Sequence, residues 1–228
     1  MLLVIEDVLS KAVVAQMRAR LDGAKWIDGK ADAGTISRDV KKNTQLAEND
    51  DLAIAFGNEI LRVLGDHPLF ISAALPEKIY PPKFNRYAGG GDHFGTHIDS
   101  AVMRIARAGM TMRADLSATL FLSEPDEYVG GVLTIEGAFG AQEVKLPAGQ
   151  LVLYPASSLH QVSPVTSGTR LASFFWVQSL VPNAETRAIL FDLDQAIQAL
   201  RGAGGADKDA VLRLTGVYNN LLRISAVV

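Results

Sequence analysis

The spacing of apolar residues changes along the chain, and each spacing predicts a different kind of structure. In residues 1 to about 76, apolar side chains recur every three to four positions, as on an amphipathic helix. Ser10 is a suitable N-cap for a first helix that Gly23 would end. A second helical pattern runs from about Asn49 to Leu64, and the polar segment between them, about Asp28 to Gln45, has no clear period.

In the middle of the chain, about residues 77–181, the apolar runs are short and turn residues separate them. This spacing favours an antiparallel sandwich or barrel over a parallel α/β sheet. The segment Ala101–Ala114, which carries Met103, Met110, Met112, Arg104, Arg107 and Arg113, breaks the rhythm and fits either a loop or a short helix. The predicted strands are Ile79–Tyr87, Phe94–Asp99, Leu116–Leu122, Val132–Glu136, Val144–Leu146, Gln150–Tyr154, His160–Val162 and Leu171–Val177.

From Pro182 onward the period is helical again. Asn183 and Asp207 are candidate N-caps of two helices, which Gly202, Gly204 and Gly205 would separate. The apolar side of this helical hairpin must be buried, either against its own domain or in a homo-oligomer. The apolar positions are Ile189, Leu190, Leu193, Ile197 and Leu200 in the first helix, and Val211, Leu214, Val217, Tyr218, Leu221 and Leu222 in the second.

Composition excludes several classes of protein. The chain has 228 residues, of which 48% are hydrophobic and 21% charged, so disorder is not its main state. The net charge is −3 with no basic stripe, which argues against a nucleic-acid partner. Since there are no cysteines, a disulfide scaffold, a thiolate zinc site and a cysteine nucleophile are excluded. No secretory signal or transmembrane helix is predicted, so we expect a soluble, cytoplasmic protein without a membrane partner.

Three residues have the types and spacing of a metal site. His97 and Asp99 end a predicted strand, where side chains two apart point to the same side and can converge. His160, at the start of a later strand, would complete a set of two histidines and one carboxylate. Such a set occupies one face of an octahedral iron(II) and leaves the other face open for oxygen and a co-substrate. By itself, however, His-x-Asp is also found as a surface histidine beside a turn aspartate.

Arg170 lies ten positions after His160 and opens the next predicted strand. If it points inward, it needs an anion, because an unpaired buried charge is costly, and its planar fork suits a carboxylate. Ala172, Phe174 and Trp176 would then point the same way and form an apolar wall. Otherwise Arg170 is an ordinary exposed residue at a turn. Tyr87, on a preceding strand, could place its hydroxyl in the same pocket.

The other two histidines have different expected roles. His93 lies four positions before His97 in a glycine-rich stretch, and we expect a loop or substrate contact rather than a third histidine ligand. His67 follows a predicted helix in the turn Gly65-Asp66-His67-Pro68 and is expected to be structural.

Taken in order, these motifs resemble a known family. Their order is similar to that in the iron(II)- and 2-oxoglutarate-dependent dioxygenases, and most similar to the bacterial PKHD-type hydroxylases, which are related to prolyl 4-hydroxylases. The resemblance extends over nearly the whole chain. The motifs are Phe84-Asn85-Arg86-Tyr87 with its glycine-rich turn, His97-x-Asp99, Leu120-Phe121-Leu122-Ser123, Gly130-Gly131-x-Leu133, His160 and Arg170.

The resemblance implies a fold that is mainly β with flanking helices (α+β). Residues 1–181 would form a double-stranded β-helix, or jelly roll, with N-terminal helices and a core at about 77–181, and residues 182–228 the C-terminal helical hairpin. By analogy, Fe(2+) would be held by His97, Asp99 and His160. The segment 100–114 lies where a lid or substrate loop could sit.

The resemblance also implies a reaction. Arg170 would pair with the distal carboxylate of 2-oxoglutarate, Tyr87 would form a hydrogen bond to this co-substrate, and Leu133 and Trp176 would line its pocket. The enzyme would hydroxylate an unidentified protein, peptide or small molecule while converting 2-oxoglutarate to succinate and CO2. L-ascorbate (vitamin C) would be the supporting reductant.

Two alternatives stay open at this point. One is a cupin-type metal enzyme that does not use 2-oxoglutarate, and the other is a non-catalytic jelly-roll binding module. Arg170 argues against the first, because it has a clear role only if a dicarboxylate binds. The intact set of three ligands argues against the second.

Overall fold

Two antiparallel sheets face each other in the computed structural model, which describes residues 1–32, 38–105, 108–203 and 207–227. Arg107, Gly204 and Gly205, which the sequence pattern singled out, lie outside the described residues. The strands are β1 (Leu3–Ile5), β2 (Ile27–Asp28), β3 (Lys41–Lys42), β4 (Thr44–Gln45), β5 (Pro76–Ile79), β6 (Lys83–Ala88), β7 (Asp92–His97), β8 (Val102–Ile105), β9 (Met110–Arg113), β10 (Leu116–Phe121), β11 (Tyr128–Val129), β12 (Leu133–Gly137), β13 (Gly140–Val144), β14 (Leu151–Pro155), β15 (His160–Val165) and β16 (Ser167–Ser179). The helices are α1 (Lys11–Leu21), α2 (Asp51–Gly65), α3 (Pro68–Ala74), α4 (Ala184–Gly202) and α5 (Lys208–Ser225).

The larger sheet has the strand order β1-β14-β10-β16-β6-β4-β2, with β5 and β11 also paired to the long strand β16. The smaller sheet has the order β13-β12-β15-β7-β3. A separate hairpin consists of β8 and β9. Two facing antiparallel sheets with helices on the outside confirm the expected mainly β, jelly-roll fold.

The larger sheet buries both of its faces, and alternation along β16 shows how. Leu171, Phe175 and Val177 belong to the core that the sheet shares with α1 and α2. Each such side chain contributes on the order of 2 kcal/mol by its burial. Arg170 and Trp176 point the other way, into a cavity between the sheets. Of the predicted inward face, Arg170, Phe174 and Trp176 line this cavity, whereas Ala172 is not among its described lining residues.

Polar caps begin the helices where the sequence pattern placed them. The side chain of Ser10 accepts a hydrogen bond from the backbone N–H of Val13 at the start of α1. Asn183 and Asp207 cap α4 and α5 in the same way. His67, expected to be structural, caps the short helix α3. Each cap satisfies backbone donors that the first helical turn leaves without a partner.

The segment 101–114 corrects a prediction. Most of its described residues form neither a loop nor a short helix but two strands, since β8 and β9 pair in register from Val102 with Arg113 to Ile105 with Met110. Four residues of alternating exposure on β8 are too short a run to be recognised as a strand from the sequence.

The C-terminal hairpin packs through a narrower face than the pattern predicted. Leu190 and Ile197 are buried in α4, whereas Ile189 is 59% and Leu200 39% exposed. Tyr218, Leu221 and Leu222 of α5 are partly buried against the cluster that contains Leu190. Among the helices that the structure describes, none has the length and apolar character needed to cross a membrane.

Candidate metal centre

The two strands at the centre of the smaller sheet bring the three expected ligands together. His97 ends β7, His160 begins β15, and the two residues are direct partners across the antiparallel pair. Asp99 follows His97 by two residues, and its Oδ2 lies 3.7 Å from Nε2 of His160. One ligand atom from each of the three residues lies within 4.8 Å of the other two. The spacing is therefore suitable for a single metal ion held by all three.

Backbone carbonyls orient both imidazole rings. Nδ1 of His97 lies 2.8 Å from the carbonyl oxygen of Gly95, and Nδ1 of His160 lies 3.0 Å from that of Ser158. A carbonyl only accepts hydrogen bonds, so each Nδ1 carries the proton and each Nε2 keeps a lone pair for a metal. Such outer contacts are what hold histidine ligands in the correct tautomer and orientation.

The surroundings of His97 favour its neutral form. Burial, followed by the neighbouring His160, lowers the pKa of His97 from 6.5 to about 4. The ring of Phe94 stacks on the imidazole, with 3.6 Å between ring centroids and 19° between the planes. At neutral pH no proton therefore competes with a metal for Nε2 of His97.

A serine that the sequence reading missed supports the carboxylate ligand. Ser117, on β10 of the opposite sheet, donates a hydrogen bond of 2.6 Å from its hydroxyl to Oδ2 of Asp99. The sequence does contain one indication of its position, because the small polar residues Ser117 and Thr119 alternate with apolar residues on this strand. That alternation marks a polar face of β10, although it does not reveal the partner.

Arg170 closes the far end of the same cavity. Its side chain is only 1% exposed, and its Nε and Nη1 atoms have no hydrogen-bond partner among the described residues. The guanidinium lies over the rings of Tyr87 and Phe121, at 5.3 and 5.1 Å from their centroids. Burial raises the pKa of Tyr87, so its hydroxyl stays protonated as a donor. A buried cation with unused donors requires an anion, and a carboxylate matches its fork.

One cavity between the sheets is lined by every residue proposed for the site. Within it, however, Trp176 lies far from Arg170. Trp176 is the direct partner of Ser117 and therefore lies at the level of Asp99. It is six residues, about 20 Å of extended strand, from Arg170. The proposed residues that line the cavity are His97, Asp99, His160, Arg170, Tyr87, Leu133 and Trp176.

His93 differs from its expected position. It lies on the strand β7 rather than in a loop, and its Nδ1 is 2.8 Å from the carbonyl oxygen of Gly91. It is not among the described residues that line the cavity.

Comparison with known proteins agrees with this geometry. Residues 82–178 match the family model of the 2OG-Fe(II) oxygenase superfamily, and residues 185–226 match that of the PKHD-type hydroxylase C-terminal domain. A PKHD-type hydroxylase of Teredinibacter turnerae is 59% identical over 223 residues, which are 98% of each chain. The chain belongs to the PKHD-type hydroxylases. The hydroxylase is accordingly an iron(II)- and 2-oxoglutarate-dependent dioxygenase, which removes the alternatives of a 2-oxoglutarate-independent enzyme and a non-catalytic module.

Solved structures of lower identity show the same fold. A prolyl-4-hydroxylase of Pseudomonas putida superimposes with a TM-score of 0.53 at 20% identity, covering 78% of this chain and 92% of that one. A prolyl hydroxylase of Trichoplax adhaerens, in complex with a peptide fragment of hypoxia inducible factor, gives 0.57 at 14% identity, covering 82% and 86%. These likenesses concern the fold alone.

Proposed function

We propose that this hydroxylase acts in the cavity between its sheets, with His97, Asp99 and His160 as the iron(II) ligands and Arg170 as the anchor of 2-oxoglutarate. The supporting observation is that one cavity holds three ligand atoms within 4.8 Å and a buried guanidinium, two of whose donor atoms meet no acceptor in the part of the chain that the structure describes. Two imidazoles and one carboxylate suit iron(II) and leave coordination positions free. The residues therefore fit both the metal and the dicarboxylate.

Each residue around the cavity has a distinct task in this proposal. When bound, iron(II) would supply the oxidative chemistry by which one atom of O2 enters the hydroxylated substrate and the other enters succinate, as 2-oxoglutarate loses CO2. Arg170, whose Nε and Nη1 lack a partner among the described residues, pairs through its guanidinium with the distal carboxylate. Tyr87, its direct partner across β6 and β16, donates from its hydroxyl. Leu133, which is 2% exposed, excludes water from this end. Trp176 forms the wall beside the metal ligands.

The test is anaerobic binding of Fe(II) and 2-oxoglutarate, followed by measurement of succinate after oxygen is added. His97→Ala should lose metal binding, and Arg170→Ala should retain metal but lose 2-oxoglutarate binding. Arg86→Ala is the matched control, since Arg86 lies next to Tyr87 on β6 and does not line the cavity. Tight 2-oxoglutarate binding by Arg170→Ala would contradict the proposal.

Four further proposals go with this function. L-ascorbate would serve as the reductant because the metal must be ferrous for each turnover, and it should extend the number of turnovers before inactivation. Location in the cytoplasm and the division into residues 1–181 and 182–228 stay predictions. A homo-oligomer through the C-terminal hairpin is supported by Leu212 and Ile224, which are 69% and 81% exposed, and light scattering of Leu212→Lys would test it.

A further inference from the structure

A second cavity lies beside the first, between helix α2 and the segment that leads into β6. Aliphatic side chains and prolines together make up most of its lining. Ile54 and Leu61 are seven residues apart on α2, so they share one edge of the helix. Both are only partly buried, whereas the core face of α2, including Phe56 and Ile60, is fully packed. The aliphatic side chains and prolines around this second cavity are Leu46, Ala53, Ile54, Leu61, Pro81, Pro82 and Ile105.

The second cavity adjoins the cavity that holds the metal ligands. Lys83 lines both of them. The ring of Tyr80, in the second cavity, contacts that of Trp176, in the first, edge to face with 5.4 Å between centroids. On β8, Met103 lines the first cavity and Ile105 the second, and residues two apart on a strand share a face. One side of the β8–β9 hairpin therefore covers both spaces.

A polar cluster separates the two spaces. Glu48 Oε1 accepts a hydrogen bond of 2.7 Å from Nζ of Lys83 and one of 3.0 Å from the hydroxyl of Tyr80. These contacts neutralise the buried ammonium of Lys83. The boundary between the two spaces is therefore polar, but its charges are paired. Beyond it, the second space offers aliphatic surface, which favours an apolar occupant.

We propose that the second cavity binds an aliphatic or aromatic arm of the hydroxylated substrate. The substrate would then be an elongated molecule, with the reacting carbon beside the metal ligands and Trp176, and the arm past Lys83 against Ile54 and Leu61. This inference rests on the proposed function, because it takes the first cavity as the site of the metal and 2-oxoglutarate. It adds the substrate class that the family assignment does not contain.

The test uses 4-(trifluoromethyl)benzyl alcohol as an apolar probe, observed by fluorine NMR with the full-length chain and 2-oxoglutarate. Mn(II) in the metal site relaxes nearby fluorine nuclei, and Zn(II) does not. We expect the probe signal to broaden in the Mn(II) form only. Ile54→Trp, which fills the second cavity, should weaken probe binding at least tenfold. Leu61→Trp is a second filling variant in case the first does not fold, and Ile189→Trp, at an exposed position on α4, is the matched control.

Each outcome has a defined meaning. Equal probe affinity in Ile54→Trp, Leu61→Trp and the wild type, or equal line widths with Mn(II) and Zn(II), would overturn the inference. Titration of Mn(II) and 2-oxoglutarate without probe tests the proposed function separately. If both bind normally and the probe avoids the second cavity, only the substrate inference fails.

Discussion

Ser117, on the larger sheet, donates a hydrogen bond of 2.6 Å from Oγ to Oδ2 of Asp99, which follows a strand of the smaller sheet. Ser117 is 2% exposed, so water does not easily replace its hydroxyl. Its strand, β10, lies between β14 and β16 and is hydrogen-bonded on both sides. The carboxylate ligand follows the end of β7, and a rigid strand of the opposite sheet therefore sets its orientation.

Removal of this contact should weaken metal binding. We expect Ser117→Ala to lower Mn(II) affinity about tenfold, in the range found for outer contacts of metal ligands, and Ser117→Thr to restore most of it. Titration calorimetry measures both. Ser173→Ala is the control, since it also removes a buried serine hydrogen bond, here to the carbonyl of Lys83. Equal losses of affinity in Ser117→Ala and Ser173→Ala would indicate a general structural effect.

Arg170 and Arg187, the two arginines that are buried in the described part of the chain, should respond in opposite ways to replacement by methionine. Nη1 of Arg187 donates to the carbonyl oxygens of Val181 and Pro182, so Arg187→Met should cost about 1–3 kcal/mol of unfolding free energy. Two donor atoms of Arg170 have no partner among the described residues, so Arg170→Met should stabilise the ligand-free protein by about 1 kcal/mol. Urea unfolding without 2-oxoglutarate measures both changes. A clear loss of stability in Arg170→Met would show that the guanidinium is already compensated.

Acid should destabilise the metal-free protein partly through His97. Its pKa is lowered from 6.5 to about 4, so between these values the unfolded chain binds more protons than the folded one. Stability then falls as pH drops below 6.5, by up to about 3 kcal/mol once pH is below 4. The unfolding free energies of the wild type and His97→Gln, measured in chelator at pH 7 and pH 4.5, give the contribution of His97 to this loss of stability. The wild type should lose more stability than His97→Gln, and equal losses would contradict the assigned cause.

The turn before β12 requires glycine for two separate reasons. Gly130 has φ +79°, and a Cβ at this position would lie 1.9 Å from the carbonyl oxygen of Pro164. Gly90 has φ +108° with nothing within 4 Å of its Cβ position, so Gly90→Ala isolates the conformational cost of about 1–2 kcal/mol. Gly130→Ala should cost clearly more, because it must displace the backbone of β15, the strand of His160. Equal costs in urea unfolding would mean that the backbone moves freely.

Local rules account for much of what could be predicted. The alternation along β16 gave the inward face of Arg170 and Trp176, and short polar side chains marked the caps of α1, α4 and α5. These features depend on neighbours within four residues along the chain, so they can be recognised from the sequence alone. The β8–β9 hairpin and the partial exposure of Ile189 could not be recognised in this way, since both depend on what lies opposite.

The sequence by itself determined the chemical types in the site, since two histidines, one aspartate and one arginine in strand-like segments have the residue types of a metal ligand set and an anion partner. Only the tertiary structure decided which groups surround them. Pairing of β7 with β15 joins His97 to His160, and the facing sheet supplies Ser117 from a strand with no motif of its own. The physical reason is that ligand types follow from side-chain chemistry, whereas contacts between sheets follow from register and packing across the core.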